Sequence, residues 1–175
     1  AEFFYIPFTG LAMKVLHNQT TKAVTPRGVD KDMDSLMDLK KLRDYVGWSP
    51  SLRKRIAQMV ADSHGTEYAV DYAWKLLASE RSVRFHEMEY HLPLDAQLPA
   101  LKEVIAVIES QRHDVFFPIE ARVIKGDENA WLSPFYQQDT GSIAVHAYYE
   151  DDYQFLYTLI EPILKRYGGR PHWGK

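Results

Sequence analysis

The chain has 175 residues, 46% of them hydrophobic and 26% charged, with a formal net charge of −3. That composition describes a globular domain large enough for one core, with no basic surplus to attract nucleic acid or an anionic membrane surface. Cysteine is absent, which excludes disulfides, zinc thiolates, iron–sulfur clusters and thiol nucleophiles.

No apolar run reaches the roughly 18 residues of a membrane span, and the missing cysteines fit a reducing compartment. The expectation is a cytoplasmic protein, or one peripheral to a membrane. Ala1 to Phe8 lacks both an initiator Met and the basic start of a signal peptide. The chain is therefore expected to begin inside a longer gene product. Eleven Tyr, eight Phe and four Trp supply rings for a core or for a site that stacks on a sugar or a flat cofactor.

The opening reads as strands: Phe3 to Phe8 is an aromatic run, and Leu11, Met13 and Val15 alternate with Ala12 and Lys14. Pro26-Arg-Gly28 begins a loop. From residue 33 to 63 the period becomes helical. Leu36, Leu39, Leu42 and Val46 form one stripe, and after Gly47-Trp-Ser-Pro50 a second carries Leu52, Ile56 and Val60. Residues 66 to 80 carry no clear period.

Val83 to Leu92 predicts a strand with Phe85 and Glu87 on one face and His86, Met88 and Tyr90 on the other. Pro93-Leu-Asp95 turns it into a helix with Leu98, Leu101, Ile105 and Ile108 inward. Val115 to Ile124 predicts a strand, Asn129 to Leu132 the start of its partner, and Gly141 to Tyr149 another strand. Asp151 or Asp152 caps a last helix carrying Phe155, Leu159, Ile163 and Leu164, which Gly168-Gly169 stops. The sum is α+β: a mostly antiparallel sheet with flanking helices, in one domain spanning 1–175.

Glu120 and Arg122 share one face of their strand beside apolar residues. Such a pair can orient a polyhydroxy substrate or stabilise negative charge; on pattern alone the plainer reading is an ordinary ion pair on a solvated face. His146 shares its face with Ser142, Ala144 and Tyr148, whose first two members are small enough to leave room above the ring. A half-buried, hydrogen-bonded histidine is the plainer reading. The ending Gly168-Gly-Arg-Pro-His-Trp-Gly-Lys175 gathers His172, Trp173 and Lys175 in a punctuated loop able to present a cation to an anion, or serves only as a tail. His86 and His91 do not form a metal pair, because five residues along a strand place them on opposite faces. No metal site is expected, and no phosphate-binding glycine loop or nucleophile elbow appears.

Three segments are similar to the C-terminal domain of the aldonolactone oxidoreductases, the family of L-gulonolactone oxidase, D-arabinono-1,4-lactone oxidase and the alditol oxidases. They are Ser82-Val-Arg-Phe-His-Glu-Met-Glu-Tyr90, Phe117-Pro-Ile-Glu-Ala-Arg122 and the terminal octapeptide. The strand Ile143-Ala-Val-His-Ala-Tyr148 and the opening Phe3-Phe-Tyr-Ile-Pro-Phe8 fall in matching order.

The resemblance implies an antiparallel cap domain that binds a sugar lactone or an alditol and covers FAD, itself held by a separate N-terminal domain outside this chain. It implies that Glu120, Arg122 and Lys175 are the catalytic set, with His146, His172 and Trp173 facing substrate and flavin. Family members continue past the His-Trp-Gly-Lys motif, so the chain is expected to be a fragment without turnover alone, and one that buries exposed apolar surface against its flavin domain or by self-association. A non-catalytic carbohydrate-binding or interaction module with the same fold is the alternative.

Overall fold

The computed structural model describes residues 1–26, 28, 32–61, 66–78 and 81–175. Arg27, within the expected Pro26 loop, and residues 62 and 63, at the expected end of the second helix, lie outside them. Six strands form one sheet in the order β2-β1-β4-β5-β3-β6, antiparallel at each junction. They are β1 (Glu2–Ile6), β2 (Leu11–Val15), β3 (Phe85–Pro93), β4 (Ile119–Ile124), β5 (Thr140–Tyr148) and β6 (Arg170–Pro171). Helices α1 (Asp32–Val46), α2 (Pro50–Ala61) and the short α3 (Ala73–Leu76) separate β2 from β3; α4 (Leu94–Gln111) follows β3, and α5 (Glu161–Arg166) precedes β6.

From β3 onward the order is strand–helix–strand–strand–helix–strand, with spatial order β4-β5-β3-β6. This is a split β-α-β pair: β5 lies between β3 and β4, and β3 between β5 and β6. Crossovers of one hand put both helices on the same side of a sheet. Accordingly Ala100, Leu101, Val104 and Ile108 of α4 join Leu156, Ile160, Ile163 and Leu164 in one core against Met88, Tyr90, Leu92, Ile119, Ala121, Ile143 and Val145. Those strand residues are the alternate positions. Their neighbours in sequence therefore face the other side, which no crossover helix covers.

The β1–β2 hairpin extends the sheet beyond β4. Its turn holds Phe8 at φ 66° and Gly10 at φ 71°. A left-handed phenylalanine is costly, and two contacts offset that cost: Glu109 accepts the Phe8 N–H at 2.7 Å, and the ring is buried. The ring packs beneath the Arg53 guanidinium, 4.6 Å from its centroid.

Several local expectations change. β4 begins at Ile119, not Val115, because Pro118 has no N–H to donate to a ladder. The partner of β4 is Thr140–Tyr148, not a strand from Asn129; Asp127 caps the intervening turn by accepting the Asn129 N–H at 2.7 Å. Asp152 starts the last helical segment by accepting the Gln154 N–H at 2.8 Å. That segment opens with a π-helical turn, Leu156–Ile160, in which Glu161 N–H reaches Leu156 O; the next residue, Pro162, has no donor to restore a regular turn.

The stripe expected on α2 faces outward at Leu52 and Val60, and Arg53 is buried in its place. Leu98 of α4 is likewise exposed, with Ala100 and Val104 inside. Among the described residues no helix is long and apolar enough to cross a membrane.

Candidate active site

The face of the sheet away from α4 and α5 builds the site; at one end of it Phe85 and Tyr148 pack against Leu36 of α1, Phe116 and Phe117. Register places Phe4, Glu120, Ala144 and Glu89 in one row across β1, β4, β5 and β3, and Glu2, Arg122, Ser142 and His91 in the next. Glu87 lies opposite His146 in a third row. The central strand β5 contributes the small residues Ser142 and Ala144. Strands two apart are separated by about 10 Å, and long side chains from β3 and β4 meet above these two small ones.

They meet as a charge network. Arg122 Nε donates to Glu120 Oε1 at 2.6 Å and lies 3.4 Å from Glu2 Oε2. Arg122 NH1 reaches both Glu89 oxygens, at 3.3 and 3.4 Å. Lys175 Nζ donates to Glu89 Oε2 at 2.6 Å and to Glu87 Oε1 at 2.7 Å. His91 Nε2 lies 3.5 Å from Glu89, and His146 Nε2 lies 3.3 Å from Glu87. Four carboxylates (Glu2, Glu87, Glu89, Glu120) therefore face two permanent cations, a formal surplus of two negative charges while the histidines are neutral.

Burial alone would raise the Glu87 pKa; hydrogen bonds from His146 and Lys175 outweigh it and hold the carboxyl down to about 2. Glu89 is driven lower still: burial opposes, but His91, Lys175 and the Arg122 charge all favour its anion. Burial pulls the Lys175 pKa down, and its two carboxylate partners raise it on balance. Arg122 is raised against burial by Glu120, Glu89 and Glu2. These groups hold one another charged, the carboxylates of Glu89 and Glu120 buried and the two cations partly exposed.

The C-terminal residues reach the site by a strap. Gly168 turns at φ 74°, and a Cβ on Gly169 would meet Leu164 O at 2.6 Å, so the glycine pair permits the tight reversal. β6 then pairs with Tyr90 and His91. The His172 N–H donates to Glu89 O at 2.9 Å, and its ring packs 5.3 Å from that of His91. Trp173 projects outward, 98% exposed.

The predicted residues thus divide. Glu120 and Arg122 form a direct pair, and the structure places Lys175 beside them through Glu89, a residue the sequence reading did not single out. His172 lies at the edge of the cluster, and Trp173 stands off it. Small neighbours do not open the space above His146: Phe117 stacks on the ring at 5.7 Å and Phe85 meets it edge-on at 5.2 Å. His146 Nδ1 is buried without a hydrogen-bond partner.

His86 stacks on Tyr153 and His91 packs against Phe135, on opposite faces as expected. Among the described residues, ligand atoms of Glu87, Glu120 and His146 converge within 4.8 Å, a grouping the reading of His86 and His91 did not anticipate. Both of its carboxylates are ion-paired, to Lys175 and Arg122. The missed residues, Glu87 and Glu89, had a signal in the alternation of carboxylates with the core residues Met88 and Tyr90.

The fold is thus an antiparallel sheet with helices on one face and, on the other, a partly buried network of carboxylates with a guanidinium and an ammonium. The chain belongs to the D-arabinono-1,4-lactone oxidase family, whose profile matches residues 1–175. It is 36% identical over 126 residues to L-gulono-1,4-lactone dehydrogenase of Mycobacterium tuberculosis (strain ATCC 25618 / H37Rv), covering 72% of this chain and 29% of that protein. It is 33% identical over 109 residues to L-gulonolactone oxidase of Mus musculus, covering 58% and 24%. With L-gulonolactone oxidase of Bos taurus it shares 31% over 120 residues, covering 64% and 26%. The chain thus matches less than a third of the length of these curated relatives.

Proposed function

We propose that the chain is the single substrate-binding domain of a flavin-dependent oxidoreductase that oxidises a sugar-1,4-lactone or polyol at a hydroxyl-bearing carbon. The observation that carries this reading is the Glu120–Arg122 pair, joined through Glu89 to Lys175, on the open sheet face of a family member. An FAD bound by another part of the protein would supply the hydride acceptor. Arg122 and Lys175, whose charges are already offset by Glu2, Glu87, Glu89 and Glu120, would offer that cofactor hydrogen-bond donors. FAD and a sugar lactone or alditol are in this reading the partners of the face that carries Glu120, Arg122 and Lys175.

Arg122 and Lys175 orient substrate oxygens, and Glu120 holds the guanidinium while accepting a hydrogen bond from the substrate hydroxyl and helping its proton leave. Carboxylates outnumber cations on this face, which favours a neutral polyhydroxylated substrate over an anionic sugar acid. The names of the relatives point the same way.

Anaerobic bleaching of the flavin in the full-length protein, challenged with aldono-1,4-lactones and alditols, tests the reading. Bleaching by one class is the expected result, with Glu120→Gln and Arg122→Ala each slowing it by about 10²-fold or more. A protein without flavin, or a flavin that neither class reduces, would favour a carbohydrate-binding module instead. Unchanged reduction in both variants would return Glu120 and Arg122 to a structural pair.

A further inference from the structure

Each member of the catalytic set is anchored by something, and one residue anchors two of them. The Glu89 side chain is 1% exposed, yet its carboxylate meets three groups at once: Lys175 at 2.6 Å, Arg122 at 3.3 and 3.4 Å, and His91 at 3.5 Å. Its main-chain carbonyl accepts the His172 N–H at 2.9 Å. The same residue therefore holds both ends of the segment from His172 to Lys175. Lys175 has a second partner in Glu87, and Arg122 in Glu120, but neither of those carboxylates touches both cations.

We propose that Glu89 is the positioning residue of this site: its carboxylate bridges Lys175 and Arg122, and with its carbonyl it fixes the terminal strap against the sheet. Glu89 acts through the two cations and makes no contact with substrate.

The physical argument has two parts. Two partly buried cations brought to one site repel each other, and a carboxylate bridging them turns that repulsion into two attractions. The strap is otherwise lightly held: β6 is two residues long, and Trp173 and Gly174 are exposed. A reactive cation on so short a strand needs a tether at the cation itself if it is to stay within the fraction of an ångström that productive orientation requires. Charge-assisted bonds from a buried carboxylate supply it. The raised Lys175 pKa agrees with this, since Glu87 and Glu89 on β3 raise it against burial; the other titratable and charged groups of the cluster are His91 on β3, Glu120 and Arg122 on β4, His146 on β5, Glu2 on β1 and His172 on the strap.

The inference rests on the flavin-oxidoreductase reading, and its test separates the two. In the full-length flavin-containing protein, Glu89→Gln keeps shape and removes charge, and Glu89→Asp keeps charge one methylene short. Tyr90→Phe, which loses only the hydroxyl contact to Glu161 on the opposite face, controls for general destabilisation. The first readout is the side-chain titration of Lys175, followed by NMR with ¹⁵N-labelled lysine in the oxidised resting protein. The second is the rate of anaerobic flavin reduction against substrate concentration and pH.

With Glu89→Gln, the Lys175 pKa falls by about one unit or more. The limiting rate falls by about 10²-fold, with a smaller change in apparent substrate affinity, and the alkaline limb moves to lower pH. Glu89→Asp restores the limb, and Tyr90→Phe leaves both readouts as they are. A Lys175 titration unchanged by Glu89→Gln overturns the proposal, as does a loss shared equally by Glu89→Asp and Tyr90→Phe. If no lactone or polyol reduces the unmodified flavin, the functional reading fails, and the Lys175 titration alone still decides whether Glu89 holds that cation charged.

Discussion

The Gln97 side chain fills the space that any side chain at Gly141 would need. A Cβ at position 141 would lie 2.6 Å from Gln97 Cβ and Cδ. Through that gap the Gln97 amide donates to Arg122 O at 2.7 Å and Ser142 O at 2.9 Å, joining α4 to β4 and β5 at the row that carries the site arginine. Gly141→Ala is expected to cost about 1–3 kcal/mol through overpacking. In a Gln97→Gly background, which removes the clashing Cβ together with Cδ, the added cost should be smaller. Urea denaturation of the four proteins measures the coupling, and simple additivity would contradict the packing described.

Arg53 presents a different kind of burial. It is 1% exposed, contacts the carbonyls of Val115 and His113 and the Phe8 ring, and has an unpaired Nε. Burial pushes its pKa down to about 10, with the neighbouring Arg43 adding to the effect. A buried cation repelled by Arg43 more than it is attracted by Glu109 costs stability that an apolar residue of similar length does not. Arg53→Met is expected to be neutral or stabilising, whereas Arg53→Ala should cost about 2–4 kcal/mol through the cavity it leaves. Equal losses from both, by thermal or chemical denaturation, would mean that the two carbonyl contacts outweigh the desolvation.

Acid should unfold the site through Glu87. Its carboxyl is held down to about 2 in the folded protein against an ordinary value of 4.5. Folding therefore favours the anion: the contribution is complete above the unfolded value and is lost as pH falls from about 4.5 towards 2. The full effect is on the order of 3 kcal/mol. Asp114, lowered against its own burial by Arg112, shifts stability in the same direction. Stability measured from pH 6 to pH 2 should fall less steeply in Glu87→Gln than in the unsubstituted protein, and identical slopes would remove Glu87 from the acid limb.

The carboxylate surplus of the site predicts discrimination between a lactone and its own hydrolysis product. The ring-opened aldonate carries a charge of the same sign as the surplus, and like-charge contact in a shielded site is costly. The aldonate should compete at least about 10-fold more weakly than the lactone for flavin reduction, and high salt should narrow the gap. Equal competition would mean that the surplus is turned away from the bound substrate.

Much of this protein was legible before any coordinate. Alternation assigned Glu120 and Arg122 to one face, and Glu87 to the face opposite Met88 and Tyr90, because a strand reverses its side chains at every residue. Gly168-Gly169 marked the stop before the strap, and helical spacing located α1, α2 and α4. The outcome at Arg53 was not legible: the stripe Leu52, Ile56, Val60 describes an amphipathic helix but not the neighbour against which it turns, and Phe8 with the Val115 carbonyl drew the guanidinium in. The covering of His146 by Phe85 and Phe117 was equally hidden, because those rings come from β3 and the loop before β4.

Composition and period therefore determined the fold class, the faces of the strands and the types of residue available for chemistry. Strand order decided the site. Placing β5 between β3 and β4 aligned Glu89 with Glu120 above Ala144, and the strap then carried Lys175 to a carboxylate 86 residues earlier in the chain. Local pattern encodes which side of a strand a residue faces; only long-range pairing sets which strand lies next to it, and the charge network depends on the second.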